Sequence, residues 1–271
     1  MDLAAFLNRH ADVIHIRLTQ VRGSSPREEG AEIFVAPTAV QGTIGGGQLE
    51  YMAIDTARVM LRTGAQSEDM DVPLGPEIGQ CCGGRVTLTL TRMSDADRTA
   101  ALADEAQRHA ARPHVYVLGA GHVGRALCRL FQFLPVRCVL IDSRAAELNL
   151  SDAAVEKRLT PMPEADIRAA PPNSAFIVLT HDHALDFLLT CEALNRHDAA
   201  YVGLIGSATK REKFARFHRA HSGGANASRL ICPIGANSST DKRPEVIAAF
   251  VMAEVMSALS VPQTIPAKIN K

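Results

Sequence analysis

The fold is decided by residues 115–142, which read V-Y-V-L-G-A-G-H-V-G-R-A-L-C-R-L-F-Q-F-L-P-V-R-C-V-L-I-D. The apolar run at 115–118 predicts a strand, and a turn with three glycines follows it. Apolar residues then recur at helical spacing, which predicts a helix with one buried stripe. A second apolar run at 138–141 ends on Asp142 and predicts another strand. This order of strand, glycine turn, helix and strand is the first unit of a doubly wound parallel sheet.

Each glycine of the turn has a distinct predicted structural role. Gly119 permits the tight turn, Gly121 lets a phosphate approach the backbone, and Gly124 lets the helix lie against the strand. The free N–H groups at the start of the helix favour an anion. His122 stands inside the turn and is expected beside any bound phosphate. The turn therefore predicts a phosphate-binding site and leaves the ligand open.

Composition limits the function classes. The chain has 271 residues, with 29 Lys and Arg against 29 Asp and Glu. This balance and the lack of Trp disfavour nucleic-acid binding and an anionic membrane surface. No apolar run reaches the length of a membrane span, and the first residues do not read as a secretory signal. Three of the six cysteines fall in apolar patterns, which favours a reducing, cytoplasmic protein.

The chain divides into two predicted domains. An Ala-rich helix over 95–111 ends at Arg112 and Pro113, which mark the boundary. Residues 1–111 mix short strands and helices and predict a smaller α+β domain. Residues 112–271 alternate strands and helices and predict a Rossmann-like doubly wound parallel sheet. The fold class is therefore α/β.

A second glycine run lies in the first domain, at G-T-I-G-G-G-Q-L-E over 42–50. Gly45, Gly46 and Gly47 open a predicted helix, so they could form a second cradle for an anion. The alternative is a tight turn that requires positive φ, which is the more frequent meaning of an isolated glycine run.

Two adjacent cysteines follow a polar stretch at 62–71. Cys81 and Cys82 stand in a glycine-flanked turn just before a strand predicted over 85–90. Thiols in such a turn suit a soft metal ligand, a persulfide acceptor or a redox pair. A second ligand pair for a structural zinc site is missing. A partly buried pair without chemistry is the alternative.

Polar residues also follow the strand predicted over 175–179. His181 and His183 would lie at the ligand-binding edge of an open α/β sheet, as proton donors, phosphate contacts or metal ligands. The alternative is an ordinary capped turn before a helix over 184–197. A later helix carries cations that form a solvated face or meet an acidic ligand or partner: Lys210, Arg211 and Lys213. The last helix, over 244–260, is apolar around much of its circumference, which favours a homodimer.

Together these stretches resemble the XdhC/CoxI family of xanthine dehydrogenase accessory proteins. The N-terminal part of the family is similar to G-S-S-P-R at 23–27, to the glycine run at 42–50 and to G-Q-C-C-G-G at 79–84. Its Rossmann part is similar to G-A-G-H-V-G at 119–124, L-T-H-D-H-A-L-D at 179–186, Y-V-G-L-I-G-S at 201–207 and I-C-P-I-G at 231–235. The resemblance spans nearly the whole chain.

The resemblance implies a chaperone for the molybdenum cofactor (molybdopterin) rather than a turnover enzyme. Such a protein shields the cofactor while a cysteine desulfurase supplies its sulfido ligand, and delivers it to the molybdenum subunit of xanthine dehydrogenase. Cys81 or Cys82 would face the molybdenum, and the turn at 119–124 would hold the phosphate.

A different class of protein, an NAD(P)-dependent oxidoreductase, fits the same turn. Asp142 lies roughly twenty residues past the turn, where an acid binds the ribose of a dinucleotide. Arg144 complicates the choice between NAD and NADP. His181 or His183 would then serve as the proton donor. Fold alone does not decide between these functions.

Overall fold

The structure is a computed structural model, and it describes residues 2–76, 83–221, 227–235 and 241–260. The chain forms two compact units, Met1–Ala110 and Ala111–Lys271. They are named the N-terminal unit and the Rossmann unit below.

The N-terminal unit is an α+β structure built on one antiparallel sheet. The elements in chain order are α1 (Leu3–Arg9), β1 (Ile14–Arg22), β2 (Glu32–Val35), β3 (Val40–Gly42), α2 (Gly47–Thr63), β4 (Ser67–Pro73), β5 (Arg85–Arg92) and α3 (Asp95–Ala110). The strand order in the sheet is β3-β2-β1-β5-β4.

Helix α2 covers one face of this sheet. Its buried residues recur every three or four positions, at Leu49, Ala53, Ala57 and Met60, as the helical period requires. They share a core with inward side chains of the central strands, such as Leu18. A smaller core forms around Phe34 of β2 and residues of α1. The polar stretch expected at 62–71 is in part a strand, because β4 pairs with β5 from Ser67 to Pro73.

The Rossmann unit contains a six-stranded sheet in which every pairing is parallel. The elements are β6 (His114–Leu118), α4 (His122–Phe131), β7 (Arg137–Asp142), α5 (Ala145–Asn149), β8 (Glu156–Leu159), α6 (Pro163–Ala169), β9 (Ala175–Val178), α7 (His183–Asn195), β10 (Tyr201–Leu204), α8 (Ala208–His221), β11 (Leu230–Ile231) and α9 (Pro244–Ser260).

The strand order β11-β10-β9-β6-β7-β8 is that of a dinucleotide-binding sheet, so the α/β fold class predicted from the glycine turn is confirmed. The direction of winding reverses between β6 and β9. Ligands of such sheets bind in the crevice at this point, beyond the carboxyl ends of the strands.

Helices cover both faces of the parallel sheet. Leu127 of α4 and Val251 of α9 pack on one face, and Leu189 of α7 and Phe214 of α8 pack on the other. The central strands are apolar for this reason, and all four residues of β9 are buried. The edge strand β8 is polar, and none of its residues is buried. Among the helices described, none is long and apolar enough to cross a membrane.

Candidate functional site

The candidate site lies at the carboxyl end of β6, where the glycine turn leads into α4. Gly119 has φ +129°, and a Cβ atom there would lie 2.4 Å from the carbonyl oxygen of Leu179. A Cβ atom on Gly124 would lie 2.0 Å from the carbonyl oxygen of Gly119. These two glycines are therefore required by the packing of the turn, as the sequence predicted.

Gly121 differs from its two neighbours. Its φ is −65°, which any residue can adopt, and a Cβ atom there would meet no atom of the described residues within 4 Å. Packing inside the chain does not require glycine at this position. The open space lies where α4 begins, beside N–H groups that have no partner within the helix. The structure thus leaves room for a ligand at the amides of the α4 N-terminus.

The peptide of Ala120 is fixed at both of its polar atoms. Its N–H donates to Oδ2 of Asp142 at 2.8 Å, and its carbonyl oxygen accepts from the guanidinium of Arg125 at 2.6 Å. Arg125 is itself paired with Glu147 at 2.8 Å. The turn is therefore held in shape by the chain alone, and the amides that follow it are preorganised for an anion.

Asp142 accepts four hydrogen bonds. Oδ2 accepts from Ala120 and from Nη2 of Arg144, and Oδ1 accepts from the backbone N–H and Nε of Arg144, all between 2.8 and 3.0 Å. Burial by itself would raise the pKa of Asp142, but the hydrogen bonds from Arg144 and Ala120 outweigh it and lower the pKa. The carboxylate is thus ionised and committed to partners within the chain.

A pocket adjoins the glycine turn at the same edge of the sheet. Its polar lining comes from Asp142, Ser143, Thr180 and His181. Apolar side chains form the rest of its wall: Leu118, Ile141, Pro161, Pro163, Leu185 and Leu189. An apolar slot with a few convergent polar groups is the usual form of a site for a small organic ligand.

The three candidate histidines have different surroundings. His181 lines the pocket, whereas His183 is the first residue of α7 and His122 is the first residue of α4. The side chains of all three are exposed. Between the two later histidines, Asp182 caps α7 by accepting from the N–H of Ala184 at 2.7 Å. The alternative reading of this stretch as a capped turn therefore describes Asp182 well, while His181 alone of the pair reaches the pocket.

A buried ion pair beside the pocket escaped prediction. Asp186 accepts from the backbone N–H and the hydroxyl of Thr180 at 2.8 and 2.7 Å, and from Nζ of Lys210 at 2.5 Å. The side chains of Asp186 and Lys210 are 1% and 11% exposed. Of the two alternatives for the cations of this helix, the solvated face does not describe Lys210, because the helix presents this cation to a buried carboxylate. The aspartate in L-T-H-D-H-A-L-D, one turn after the cap, was the available signal.

In the N-terminal unit, the second glycine run forms a turn with positive φ at Gly45, Gly46 and Gly47. Its polar groups are used by the chain itself. Oε2 of Glu50 accepts from the N–H of Gly46 at 3.1 Å, from the N–H of Ile44 at 3.0 Å and from the hydroxyl of Thr43 at 2.6 Å. A carboxylate of the chain therefore occupies the place of an external anion at these amides.

Parts of three motifs meet around this turn. A Cβ atom on Gly45 would lie 2.8 Å from Cβ of Pro26, and one on Gly84 would lie 2.1 Å from the carbonyl oxygen of Ser24. The loop at 23–27 thus packs against both glycine segments. The candidate metal ligands Cys81 and Cys82 lie outside the described residues. Among the residues that are described, no group of three or more His, Cys, Asp or Glu side chains could hold a metal ion.

The strand order, the glycine turn and the adjoining pocket define an α/β protein of the Rossmann class with an α+β unit before it. The family model for the XdhC Rossmann domain matches residues 115–255, and the model for the XdhC and CoxI family matches residues 6–70. The chain belongs to the XdhC family.

Two further proteins are similar to this chain. The uncharacterized protein YqeB of Escherichia coli (strain K12) is 25% identical to this chain over a match that covers 89% of it. The match covers 42% of YqeB, so the chain spans less than half the length of this curated relative. A crystal structure from Bacillus halodurans, described as a xanthine dehydrogenase, covers 98% of both chains with a TM-score of 0.79 and 16% identity. This likeness shows a shared fold.

Proposed function

We propose that this protein is a chaperone of the molybdenum cofactor, which protects the cofactor during sulfuration and inserts it into xanthine dehydrogenase. Membership of the XdhC family suggests a role in xanthine dehydrogenase maturation. The proposed partners are the molybdenum subunit of xanthine dehydrogenase and a cysteine desulfurase. The cofactor is cargo in this proposal, so the protein itself does not need to turn over a substrate.

The observation that carries the proposal is the preorganised turn before α4. Molybdopterin ends in a phosphate, and an anion is stabilised by free amides at a helix N-terminus. Asp142 and Arg125 fix the peptide of Ala120 from both sides, and Gly121 leaves open space where the amides begin. The proposed phosphate seat is therefore the start of α4.

The second part of the proposal concerns the thiolates that would contact the molybdenum end of the cofactor. Molybdenum and sulfur are soft, so the thiolates of Cys81 and Cys82 are suitable ligands or sulfur acceptors for the metal end of the cofactor. Such thiols must stay reduced, and the proposal places the protein in the cytoplasm. Within the described residues, Cys128, Cys138 and Cys232 carry free thiols.

A homodimer is part of the proposal, because α9 is rich in apolar residues and symmetric association is the usual way to cover an apolar surface. The second candidate function, an NAD(P)-dependent oxidoreductase, receives no support from Asp142, since Arg144 and Ala120 already occupy its carboxylate.

The proposal is tested by measuring what the purified protein carries. The chain is isolated from cells that make the cofactor, and its molybdenum and releasable pterin are quantified. We expect both in the wild type, and we expect a double variant, Cys81→Ala with Cys82→Ala, to lose most of the molybdenum. Cys191→Ala serves as the control and keeps it.

A second arm measures function directly. The loaded protein is mixed with cofactor-free xanthine dehydrogenase, with and without a cysteine desulfurase, and the activity that appears is recorded. Undiminished molybdenum in the double cysteine variant contradicts the role of the thiols. Absence of molybdenum and pterin from the wild type contradicts the proposed function itself.

A further inference from the structure

We propose that the Rossmann unit accepts a fused-ring phosphate monoester at its glycine turn and rejects ribonucleotides, because Arg144 occupies the Asp142 carboxylate that a ribose would need. The inference deepens the proposed function and rests on it, since it assigns the cargo as the phosphomonoester form of the cofactor rather than a dinucleotide form. Arg144 is then the residue that determines this specificity.

The first step concerns the ribose. In dinucleotide-binding sheets, the acid at the end of the second strand accepts hydrogen bonds from the ribose hydroxyls. Asp142 stands at this position, but it already accepts four hydrogen bonds, three of them from Arg144. A carboxylate has about four acceptor sites in all. No acceptor remains for the hydroxyls of NAD(H) or of any other ribonucleotide placed there.

The second step concerns a phosphate on the ribose. NADP(H) binds where an arginine meets its 2′-phosphate, and Arg144 is near enough in sequence to suggest this role. However, Nε and Nη2 of Arg144 are both directed at Asp142. A 2′-phosphate would thus meet an ionised carboxylate at the same place, and like charges repel. The pair disfavours both dinucleotides.

The third step is that the pair is hard to open. The side chain of Asp142 is 4% exposed, and a buried charge that loses its partner has a large energetic cost. Asp142 also holds the N–H of Ala120. A ligand that displaced Arg144 would therefore have to compensate for a buried charge, whereas the hydrogen bond from Ala120 does not depend on Arg144.

The remaining donors and the pocket suit another ligand class. A phosphate monoester needs only the amides at the start of α4, which lie beside the open position of Gly121. The adjoining pocket shares Gly119 with the turn and has apolar residues on its other walls, among them Ile141, Pro163 and Leu185. Apolar walls with a few polar groups are typical of sites that take an aromatic heterocycle.

The experiment titrates the purified full-length protein with four probes. They are the oxidised fluorescent pterin phosphate prepared from molybdopterin, its dephosphorylated form, NADH and NADPH. We expect the pterin phosphate to bind at least about tenfold more tightly than its dephosphorylated form. We expect no saturation by NADH or NADPH at concentrations on the order of 1 mM.

The variant Arg144→Gln removes the two guanidinium hydrogen bonds to Asp142 without adding bulk and leaves the two from backbone N–H groups. It should gain affinity for NADH by at least about tenfold, while NADPH stays weak and the pterin phosphate changes by less than about twofold. Arg219→Gln, an exposed position on α8, is the matched control and should show no gain. Thermal unfolding of each variant reports whether the fold is retained.

Two results overturn the inference. One is a wild type that binds either dinucleotide as tightly as the pterin phosphate, and the other is a folded Arg144→Gln variant that gains no affinity for NADH. Failure of the proposed function looks different, because a protein that carries no molybdenum in cells can still show the predicted order of probes and the predicted gain. Conversely, a protein that carries molybdenum in cells but binds the four probes with similar affinity contradicts only the role assigned to Arg144.

Discussion

Nζ of Lys210 lies 2.5 Å from Oδ2 of Asp186, and both side chains are almost inaccessible to solvent. The other oxygen of the carboxylate accepts two hydrogen bonds from Thr180, which lines the pocket. The pair thus joins the first turns of α7 and α8 to the loop that follows β9. A buried pair of this kind stabilises its neighbourhood only while both partners are present.

Loss of one partner is therefore expected to be costly. Lys210→Met keeps the length of the side chain and removes the charge, so Asp186 is left buried and unpaired. We expect the free energy of unfolding to fall by about 3–5 kcal/mol, measured by urea denaturation followed by circular dichroism. Lys213→Met, at an exposed position of the same helix, should change it by no more than about 0.5 kcal/mol.

The double variant Lys210→Met with Asp186→Asn provides the decisive comparison. It removes both charges, and the amide oxygen can still accept from Thr180. It should recover part of the stability lost in Lys210→Met. A single variant as stable as the Lys213→Met control would show that the ion pair does not stabilise the fold.

The glycines of the turn are expected to separate into two classes. In Gly124→Ala, the new methyl group overlaps the carbonyl oxygen of Gly119, so the free energy of unfolding should fall by about 1–3 kcal/mol or more. In Gly121→Ala, the methyl group enters open space, and stability should stay within about 0.5 kcal/mol of the wild type. The same methyl group occupies the proposed phosphate seat and should weaken binding of the pterin phosphate by at least about tenfold.

Urea denaturation and fluorescence titration of the two variants check this division. Equal loss of stability in both variants would mean that Gly121 is also a packing residue. Full binding of the pterin phosphate by Gly121→Ala would remove the start of α4 as the phosphate seat.

The parallel sheet was predictable because its central strands are buried on both faces and read as short apolar runs. The strand before the glycine turn, β6, and the strands that end near Asp142 and Leu179 all follow this rule. Strand β4 does not, since it lies at the edge of its sheet and only Val72 among its residues is buried. An edge strand with little burial leaves no alternation to detect.

The sequence predicted the part of the site that is formed by the backbone, which is the glycine turn, and missed the pairing of its side chains. Glycine spacing identified the turn, because Gly119 and Gly124 are demanded by local geometry. The pairing of Asp186 with Lys210 and of Asp142 with Arg144 depends on which rotamers the packed helices and strands allow. A helix rich in cations predicts a solvated face on average, and the sequence does not reveal that one of them meets a buried carboxylate.

Glu50 is expected to stabilise the turn that opens α2. Its carboxylate accepts from Gly46, Ile44 and Thr43, and hydrogen bonds to a charged group are stronger than those to a neutral one. Glu50→Gln should lower the free energy of unfolding by about 1–3 kcal/mol, measured by urea denaturation. Glu68→Gln, at an exposed position of β4, is the control and should leave the free energy of unfolding unchanged. A stable Glu50→Gln variant would show that the turn keeps its shape without the carboxylate.

The stability contributed by Asp142 is expected to depend on pH. Its pKa is lowered in the folded state, because the hydrogen bonds from Arg144 and Ala120 outweigh the effect of burial. A group with a lowered pKa stabilises the fold above its ordinary pKa of about 3.9, and that contribution is lost as the pH falls through the folded value. Asp142→Asn should therefore be less stable than the wild type by about 1–3 kcal/mol at pH about 7. This difference in the free energy of unfolding should narrow progressively below pH about 5.

Urea denaturation of both proteins at several pH values measures the gap directly. Asp55→Asn, at an exposed position of α2, is the control and should show no gap. A gap that stays constant down to pH about 3 would mean that the ionised form of Asp142 is not what holds the glycine turn.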